Sequence, residues 1–403
     1  MNAKWSPFPW VCFAMCVGVM STALISPLYG LYKEAWQLQA SDVSVIYVVY
    51  MAGALFGLLF LGQLSDRIGF QKVMQLSLSL ILVGTLLSML AWNTTSLNAA
   101  RLIVGVASSL MTTGASIGLR LLLSRHHTRK ASMITTVLIA LGFGVGPLVG
   151  GVIGQWVTRP LVMAYAPTIV LGSLGIYALR RIAIPDDAKV ITDSSQPRAG
   201  DWKQWLPKLT WPQSSDSVAF LLTVISSFLA FGVFGLYASM APLFLEKMID
   251  WQGPFISGAA IAVILLMSAG VQLLFVHLPT RWSGFVGLTA FALCSALLLV
   301  NLQLGSVLLL ALGILATAIG HGMSLLAGMN MVNRIAEPHN HSGLFATYLV
   351  VGYFGSMIPI LGVGWIADYW GMQMAVSLFC YGVITVGMIS AFCFFRHPRM
   401  HGE

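Results

Sequence analysis

The sequence predicts an all-α integral membrane protein with twelve transmembrane helices, arranged as two pseudo-symmetric six-helix bundles. Three observations predict this fold: 58% of the 403 residues are hydrophobic and only 8% are charged, apolar runs of about 20 residues recur along the chain, and sparse sequence features repeat at a nearly constant offset. Soluble domains carry about 25% charged residues. This chain has too few charges to cover its outer surface with solvated groups, so that surface must face lipid. Helices are required there because lipid offers no partner for backbone N–H and C=O groups.

The apolar runs define twelve predicted spans, which we number 1 to 12. They cover residues 9–32, 42–64, 72–92, 97–123, 131–156, 160–180, 217–244, 255–278, 283–303, 306–331, 343–367 and 373–395. With the N-terminus inside, seventeen of the 21 Lys and Arg residues fall in cytoplasmic segments or the adjoining span ends. This bias predicts that both termini are cytoplasmic. It also explains the net charge of +8 without a nucleic-acid partner.

The chain divides into an N-terminal six-helix half (1–180), a cytoplasmic linker (181–216) and a C-terminal six-helix half (217–403). Three pairs of residues at equivalent positions in the two halves support the repeat, with offsets of 215, 214 and 212: Pro27 and Pro242, Arg67 and Arg281, Pro147 and Pro359. A six-plus-six parallel repeat around a central site is typical of many secondary transporters.

The loop between spans 2 and 3 carries the most specific motif. Its defining residues are Gly62, Leu64, Asp66, Arg67, Gly69 and Lys72. The loop resembles the signature of the major facilitator superfamily, G-x-L-A-D-R-x-G-R-K. The resemblance implies that Asp66 lies against the positive N-terminal end of span 11, near Ser342, and latches the cytoplasmic side. Phe70 and Gln71 replace basic residues of the family pattern, so the sequence leaves the strength of this latch open.

Span 5 contains a glycine- and proline-rich stretch formed by Gly142, Gly146, Pro147, Gly150 and Gly151. It resembles the G-x-x-x-G-P-x-x-G-G stretch of the drug:proton antiporter branch of the superfamily. Glycines four apart let helix backbones approach closely, and proline kinks a helix. The resemblance implies that this segment seals one face of the cavity and favours export. Glycine-rich packing also occurs in importers, so the direction of transport stays open.

Two ionisable residues inside spans are candidates for proton coupling. Arg101 lies about one turn inside span 4, in a stretch similar to the antiporter signature L-x-x-x-R-x-x-Q-G, with Val104 in place of the glutamine. The resemblance implies that Arg101 tunes the coupling site, and the alternative is snorkelling to the outer headgroups. His321 in span 10 is flanked by glycines that could let solvent or substrate approach its ring. The alternative is a hydrogen-bonded packing residue.

The positions of the acidic residues bear on the charge of the substrate. None of these residues lies deep in a predicted span. Those in or next to the spans lie near their ends: Glu34, Asp42, Glu246, Asp250 and Asp368. A purely cationic substrate is therefore disfavoured. Side chains that offer stacking, hydrogen bonds and adaptable apolar contact to a substrate, or serve packing instead, are Tyr29, Tyr47, Tyr50, Tyr237, Met323 and Asn330.

Together these features predict a proton-coupled antiporter that exports a small amphipathic organic molecule, such as a drug, siderophore or metabolite, by rocking alternating access. We expect a monomer in the bacterial inner membrane, with the substrate, protons and the lipid bilayer as its partners. The chain has no P-loop and no C-x-x-C or H-E-x-x-H pattern, so we expect no ATP, cofactor, metal or catalytic residue. The alternatives are a proton-coupled importer of a sugar or organic acid, and a non-transporting membrane enzyme or sensor.

Overall fold

The computed structural model describes residues 5–123, 128–184, 209–245, 253–337 and 340–401, without the side chains of residues 66, 128 and 129. In chain order its helices are α1 (Pro7–Ala23), α2 (Tyr29–Trp36), α3 (Ala40–Leu61), α4 (Leu64–Ile68), α5 (Phe70–Met89), α6 (Thr94–Leu122), α7 (Thr128–Trp156), α8 (Pro160–Met163), α9 (Ala166–Arg181), α10 (Ser214–Phe244), α11 (Pro254–Leu274), α12 (Thr280–Leu304), α13 (Val307–Ile335), α14 (His341–Trp370) and α15 (Met372–Arg396).

Twelve helical stretches in the described residues are long and apolar enough to cross a membrane, which confirms the predicted spans. Span 1 consists of α1 and α2, separated by a short 3-10 turn at Ser26–Leu28. The break lies at Pro27, which has no N–H to continue the hydrogen-bond ladder of α1. Span 6 consists of α8 and α9, and each remaining span is a single helix. The short helix α4 lies in the loop between spans 2 and 3.

The helices pack into two compact units. Unit 1 comprises Met1–Ile25 and Val49–Leu206, and unit 2 comprises Ser26–Val48 and Pro207–Glu403. Residues 26–48 thus pack with helices of the C-terminal half, although the sequence division places them in the N-terminal half. Most of the predicted linker, residues 185–208, lies outside the described residues.

Each unit has an apolar core between its helices. In unit 1 the core lies between α1, α5, α6 and α9, and its buried side chains include Val11, Met15, Met74, Leu78 and Met111. In unit 2, α10 packs on α14, and α12 packs on α13 and α15. One cluster of unit 2 brings together the buried side chains Phe220, Val224, Val332, Leu344 and Tyr348.

The outward faces of the helices are apolar as well. Helix α15 exposes large hydrophobic side chains along its length: Leu378, Tyr381, Val386, Ile389 and Phe392. A soluble protein rarely presents so large a continuous apolar face. In a bilayer the lipid tails cover this face, so it is compatible with a stable protein.

Candidate functional site

Arg101 is buried inside unit 1, where it contacts α1 and α3. Its side chain is 3% exposed, and its Nη2 donates a hydrogen bond to the Thr22 carbonyl at 3.0 Å. The guanidinium carbon lies 4.5 Å from the centroid of the Tyr50 ring. Helix α6 begins at Thr94, so Arg101 lies about two turns from its start. Arg101 therefore turns towards neighbouring helices and does not snorkel to the headgroups.

These contacts compensate the buried charge only in part. The Thr22 carbonyl belongs to the last turn of α1, where carbonyl groups lack an intrahelical partner. A hydrogen bond from a charged donor contributes about 1.5–3 kcal/mol, and a cation–π contact about 0.5–2 kcal/mol. The Nε of Arg101 has no hydrogen-bond partner among the described residues. A buried ion costs several kcal/mol, so the charge of Arg101 at this position lowers the stability of the fold.

Tyr50 extends this arrangement to a second residue of α6. Its hydroxyl lies 3.4 Å from the Ser108 hydroxyl, and its side chain is 5% exposed. Of the tyrosines predicted to line a cavity, Tyr50 is the one that the structure places against Arg101. Together, Arg101, Tyr50 and Ser108 form a polar patch between α3 and α6.

The glycine-proline stretch of α7 packs directly on α1. A Cβ atom at Gly142 would lie 2.8 Å from the Cys16 carbonyl, and one at Gly146 would overlap the Met20 carbonyl. Both positions therefore need glycine for backbone contact between the helices. Pro147 lies inside α7. Gly150 and Gly151 are buried one turn further on.

The motif between spans 2 and 3 folds as α4 followed by a glycine turn. Gly69 has a φ of 85°, a value that favours glycine, and precedes α5. Within the motif, Gly62, Leu64 and Arg67 are half-buried, and Lys72 is exposed. The side chain of Asp66 lies outside the described part of the chain, so its predicted contact with span 11 stays a prediction.

The two departures from the family motif have structural partners. Phe70 is 3% exposed and fills the space beside Gly118, where a Cβ atom would lie 2.5 Å from its ring. The Gln71 side chain donates to the Leu179 carbonyl at 2.6 Å, and Gln75 donates to the same oxygen at 2.9 Å. This carbonyl belongs to the last turn of α9, where it lacks an intrahelical partner. These residues therefore join α5 to α6 and α9.

His321 lies in unit 2 at the end of a short polar chain. Its Nδ1 lies 2.8 Å from the Ser268 hydroxyl, which accepts a hydrogen bond from the Gln272 side chain at 3.4 Å. The imidazole centroid is 5.5 Å from the Phe234 ring centroid, and the side chain is 8% exposed. Helices α10, α11 and α13 thus enclose an ionisable group with hydroxyl and amide partners.

The glycines beside His321 serve helix packing. A Cβ atom at Gly320 would lie 2.7 Å from the Phe291 ring, and one at Gly322 would lie 2.6 Å from the Ser268 carbonyl. The space next to both glycines is therefore filled by α11 and α12. The sequence-based expectation that these glycines open an approach to the imidazole is not met.

The other predicted cavity residues all lie in unit 2. Tyr29, Tyr47, Tyr237 and Met323 are buried in unit 2, and Asn330 is half-buried. Met323 packs in an apolar cluster with Val271 and Leu326. Their role in binding a substrate stays a prediction.

Several partners in these sites escaped the sequence reasoning. Thr22 contributes a backbone carbonyl, which carries no side-chain signal. Ser268 and Gln272 do carry a signal, because two polar residues four apart lie on one face of the mostly apolar α11. Among the described residues, no three His, Cys, Asp or Glu side chains cluster in a way that could hold a metal ion.

Among the described residues, twelve helices long and apolar enough to span a membrane, with an arginine and a histidine buried inside them, are typical of a polytopic membrane protein of the transporter class. Residues 11–283 match the model of the Major Facilitator Superfamily. The chain belongs to this family, which confirms the resemblance first indicated by the loop between spans 2 and 3.

Two curated relatives match about half of the chain. The riboflavin transporter RibZ of Clostridioides difficile (strain 630) is 24% identical over 178 residues, which cover 44% of this chain and 38% of that protein. The quinolone resistance protein NorA of Staphylococcus aureus (strain Mu50) is 24% identical over 210 residues, or 52% of each chain. The matches thus span about half or less of these relatives.

Solved structures of transporters share the fold along nearly the whole chain. The nucleoside transporter NupG has a TM-score of 0.71 at 12% identity, covering 97% of this chain and 99% of that one. A bacterial homolog of the human lysosomal transporter Spinster, in an inward-facing and unoccupied conformation, has a TM-score of 0.71 at 13% identity, covering 97% and 96%. At these identities the likeness shows the fold alone.

Proposed function

We propose that this protein exports a small amphipathic organic molecule from the cytoplasm in exchange for protons. The observation that carries the proposal is the packing of α7 on α1, in which Gly142 and Gly146 bring the helix backbones together and Pro147 follows directly. This stretch resembles that of the drug:proton antiporter branch. The names of the two curated relatives, a quinolone resistance protein and a riboflavin transporter, favour aromatic organic substrates.

Arg101 and His321 are the proposed coupling groups. Both are buried within spans, and ionisable groups inside membranes mark ion and substrate pathways. In this scheme, protonation and substrate binding exclude one another, so inward proton flow drives efflux. Each ligand must then distinguish the two conformational states energetically. The absence of an acidic residue deep in a predicted span argues against a purely cationic substrate.

We further propose that the protein is a monomer in a bacterial inner membrane, with both termini in the cytoplasm, and that it is not an enzyme. The distribution of Lys and Arg supports this orientation. Substrate exchange proceeds by rocking of the two six-helix halves, as the six-plus-six repeat suggests.

One observation favours a proton-coupled importer as a second candidate. His321 is held in a chain with Ser268 and Gln272, and such a chain could serve a symporter that moves proton and substrate in the same direction. The glycine-proline packing of α7 weighs towards export, so we place the importer second.

Inverted membrane vesicles separate the two candidates. The vesicles are energised to an acidic interior, and a pH-sensitive dye reports the gradient while quinolones and flavins are added as probes. Antiport predicts that a transported probe collapses the gradient and accumulates inside. Proton release that requires outward flow of a preloaded probe would support symport instead. Vesicles without the protein serve as the control, and no flux with any probe class in either direction would contradict the transporter proposal.

A further inference from the structure

The segment formed by residues 26–48 leaves unit 1 and packs with unit 2; we call it the crossing segment. It contains the 3-10 turn after α1, helix α2 and the first nine residues of α3. The crossing points, after Ile25 and after Val48, lie within three residues of Thr22 and Tyr50. These two residues are the partners of Arg101 in unit 1, so both ends of the crossing segment emerge from anchored positions.

The first turn of α3 is capped by a carboxylate 328 residues away in sequence. Asp368 Oδ1 accepts a hydrogen bond from the Ala40 amide at 2.8 Å and lies 3.3 Å from the Ser41 amide. The other carboxylate oxygen is also 3.3 Å from the Ser41 amide. Amides in the first turn of a helix have no intrahelical acceptor, and this end of the helix carries partial positive charge. Asp368 therefore satisfies two backbone donors and complements the dipole of α3.

Close packing of α14 on α3, one turn before Asp368 in α14, supports this contact. A Cβ atom at Gly364 would overlap the Ser44 hydroxyl and lie 3.0 Å from the Ala40 carbonyl. The Ser44 hydroxyl donates to the Ser41 carbonyl at 2.7 Å, so it stays within its own helix. Glycine at 364 is what allows α14 to bring Asp368 within reach of the amides.

We propose that Asp368 is a gating residue that holds the crossing segment on unit 2 in one state of the transport cycle and releases it in the other; we call its contact with Ala40 and Ser41 the Asp368 latch. This inference rests on the proposed alternating access. The family resemblance assigns Asp66, just after α3, to the start of α14. The Asp368 latch reverses that relationship, because here the end of α14 caps the start of α3. Together with the contact that the resemblance implies for Asp66, this assigns an acidic residue to each end of the same helix pair.

Amide hydrogen exchange of the full-length protein in lipid nanodiscs tests the contact without a substrate. In Asp368→Asn the neutral amide binds the two backbone donors less strongly, and exchange at Ala40 and Ser41 should rise about tenfold or more. Asp42→Asn is the matched control, since the Asp42 carboxylate accepts from the Gln39 amide in the same turn at 2.9 Å. That variant should raise exchange at Gln39 alone.

Cysteine labelling tests whether loss of the contact frees the segment. Ser44→Cys, in a background whose five natural cysteines are replaced by alanine, reports this position, where the serine is fully buried. Adding Asp368→Asn should speed its reaction with a polar thiol reagent about three- to tenfold, and adding Asp42→Asn should not. Gly364→Ala, studied by exchange alone, should expose Ala40 and Ser41 with Asp368 intact, so the test holds even if Asp368→Asn folds poorly.

Unchanged exchange at Ala40 and Ser41 in Asp368→Asn would overturn the proposal. Faster exchange without faster labelling of the cysteine would also overturn it, because Asp368 would then be a local cap and no latch. Since neither readout needs transport, absence of flux with every probe would contradict the proposed function while leaving the Asp368 latch tested on its own.

Discussion

Replacement of Arg101 by methionine tests whether the buried guanidinium serves transport or packing. Methionine retains an apolar stem of similar length and removes the charge. The variant loses the hydrogen bond to the Thr22 carbonyl, 3.0 Å long, and the contact with the Tyr50 ring at 4.5 Å. From the usual contributions of a charged hydrogen bond and a cation–π contact, this loss is about 2–5 kcal/mol.

The loss is offset because the variant no longer keeps a charge away from water, a term of several kcal/mol. We therefore expect the free energy of unfolding of Arg101→Met to stay within about 2 kcal/mol of the wild-type value, by the difference between these terms. Proton-coupled flux has no such compensation. A barrier raised by about 1.4 kcal/mol lowers a rate tenfold, so removal of the proposed coupling charge should lower flux by about tenfold or more.

The assay combines thermal unfolding in detergent with flux in inverted vesicles. Arg396→Met is the matched control, because the Arg396 guanidinium also lies over an aromatic ring, 4.3 Å from the centroid of Phe392, but is exposed. That control should retain wild-type flux. Arg101→Lys keeps the charge and loses the planar stacking on Tyr50, so intermediate flux is expected.

Two results would refute the reasoning. Wild-type, pH-dependent flux in Arg101→Met would remove Arg101 from the coupling mechanism. A large loss of thermal stability in the same variant would show that the contacts of the guanidinium outweigh its desolvation, which contradicts the energy balance above.

Three further outcomes follow from the contacts described. Gly146→Ala should destabilise the protein by about 1–3 kcal/mol, because its methyl group must push α7 away from the Met20 carbonyl; Gly362→Ala, with nothing within 4 Å of its Cβ, should leave the melting temperature unchanged. His321→Gln should flatten the pH dependence of flux, because it replaces an ionisable side chain inside a span with one that does not titrate, and an unaltered profile would exclude His321 from coupling. Asp216→Asn should change stability by less than about 1 kcal/mol, although its carboxylate lies 2.8 Å from Arg399, because the Arg399 side chain is exposed to solvent; a larger shift of the melting temperature would contradict this.

The residues that depart from the family motif show which contacts a local sequence pattern cannot predict. Phe70 and Gln71 break the basic pattern of the loop, and sequence reasoning could treat them only as a weakened motif. In the fold, Phe70 fills the space beside Gly118 and Gln71 satisfies the Leu179 carbonyl. Their partners lie 48 and 108 positions away along the chain, beyond the reach of a local pattern.

The sequence by itself determined the membrane class, the twelve spans and the family. Hydropathy suffices for the spans, because lipid forces every apolar run of about 20 residues to satisfy its backbone as a helix. The loop motif beginning at Gly62 and the stretch ending at Gly151 identified the family. Glycine and proline determine the backbone geometry at their own positions, so such motifs can be recognised from the sequence alone.

Tertiary structure alone decided which groups meet. The sequence could place Arg101, His321 and Asp368 within their helices. It could not assign them the Thr22 carbonyl, the Ser268 hydroxyl or the amides at the start of α3, because such pairs depend on how distant helices pack. It also divided the chain between spans 6 and 7, whereas the structure packs residues 26–48 with unit 2. That grouping reflects contacts with distant helices such as α10 and α11, which no local property of the chain encodes.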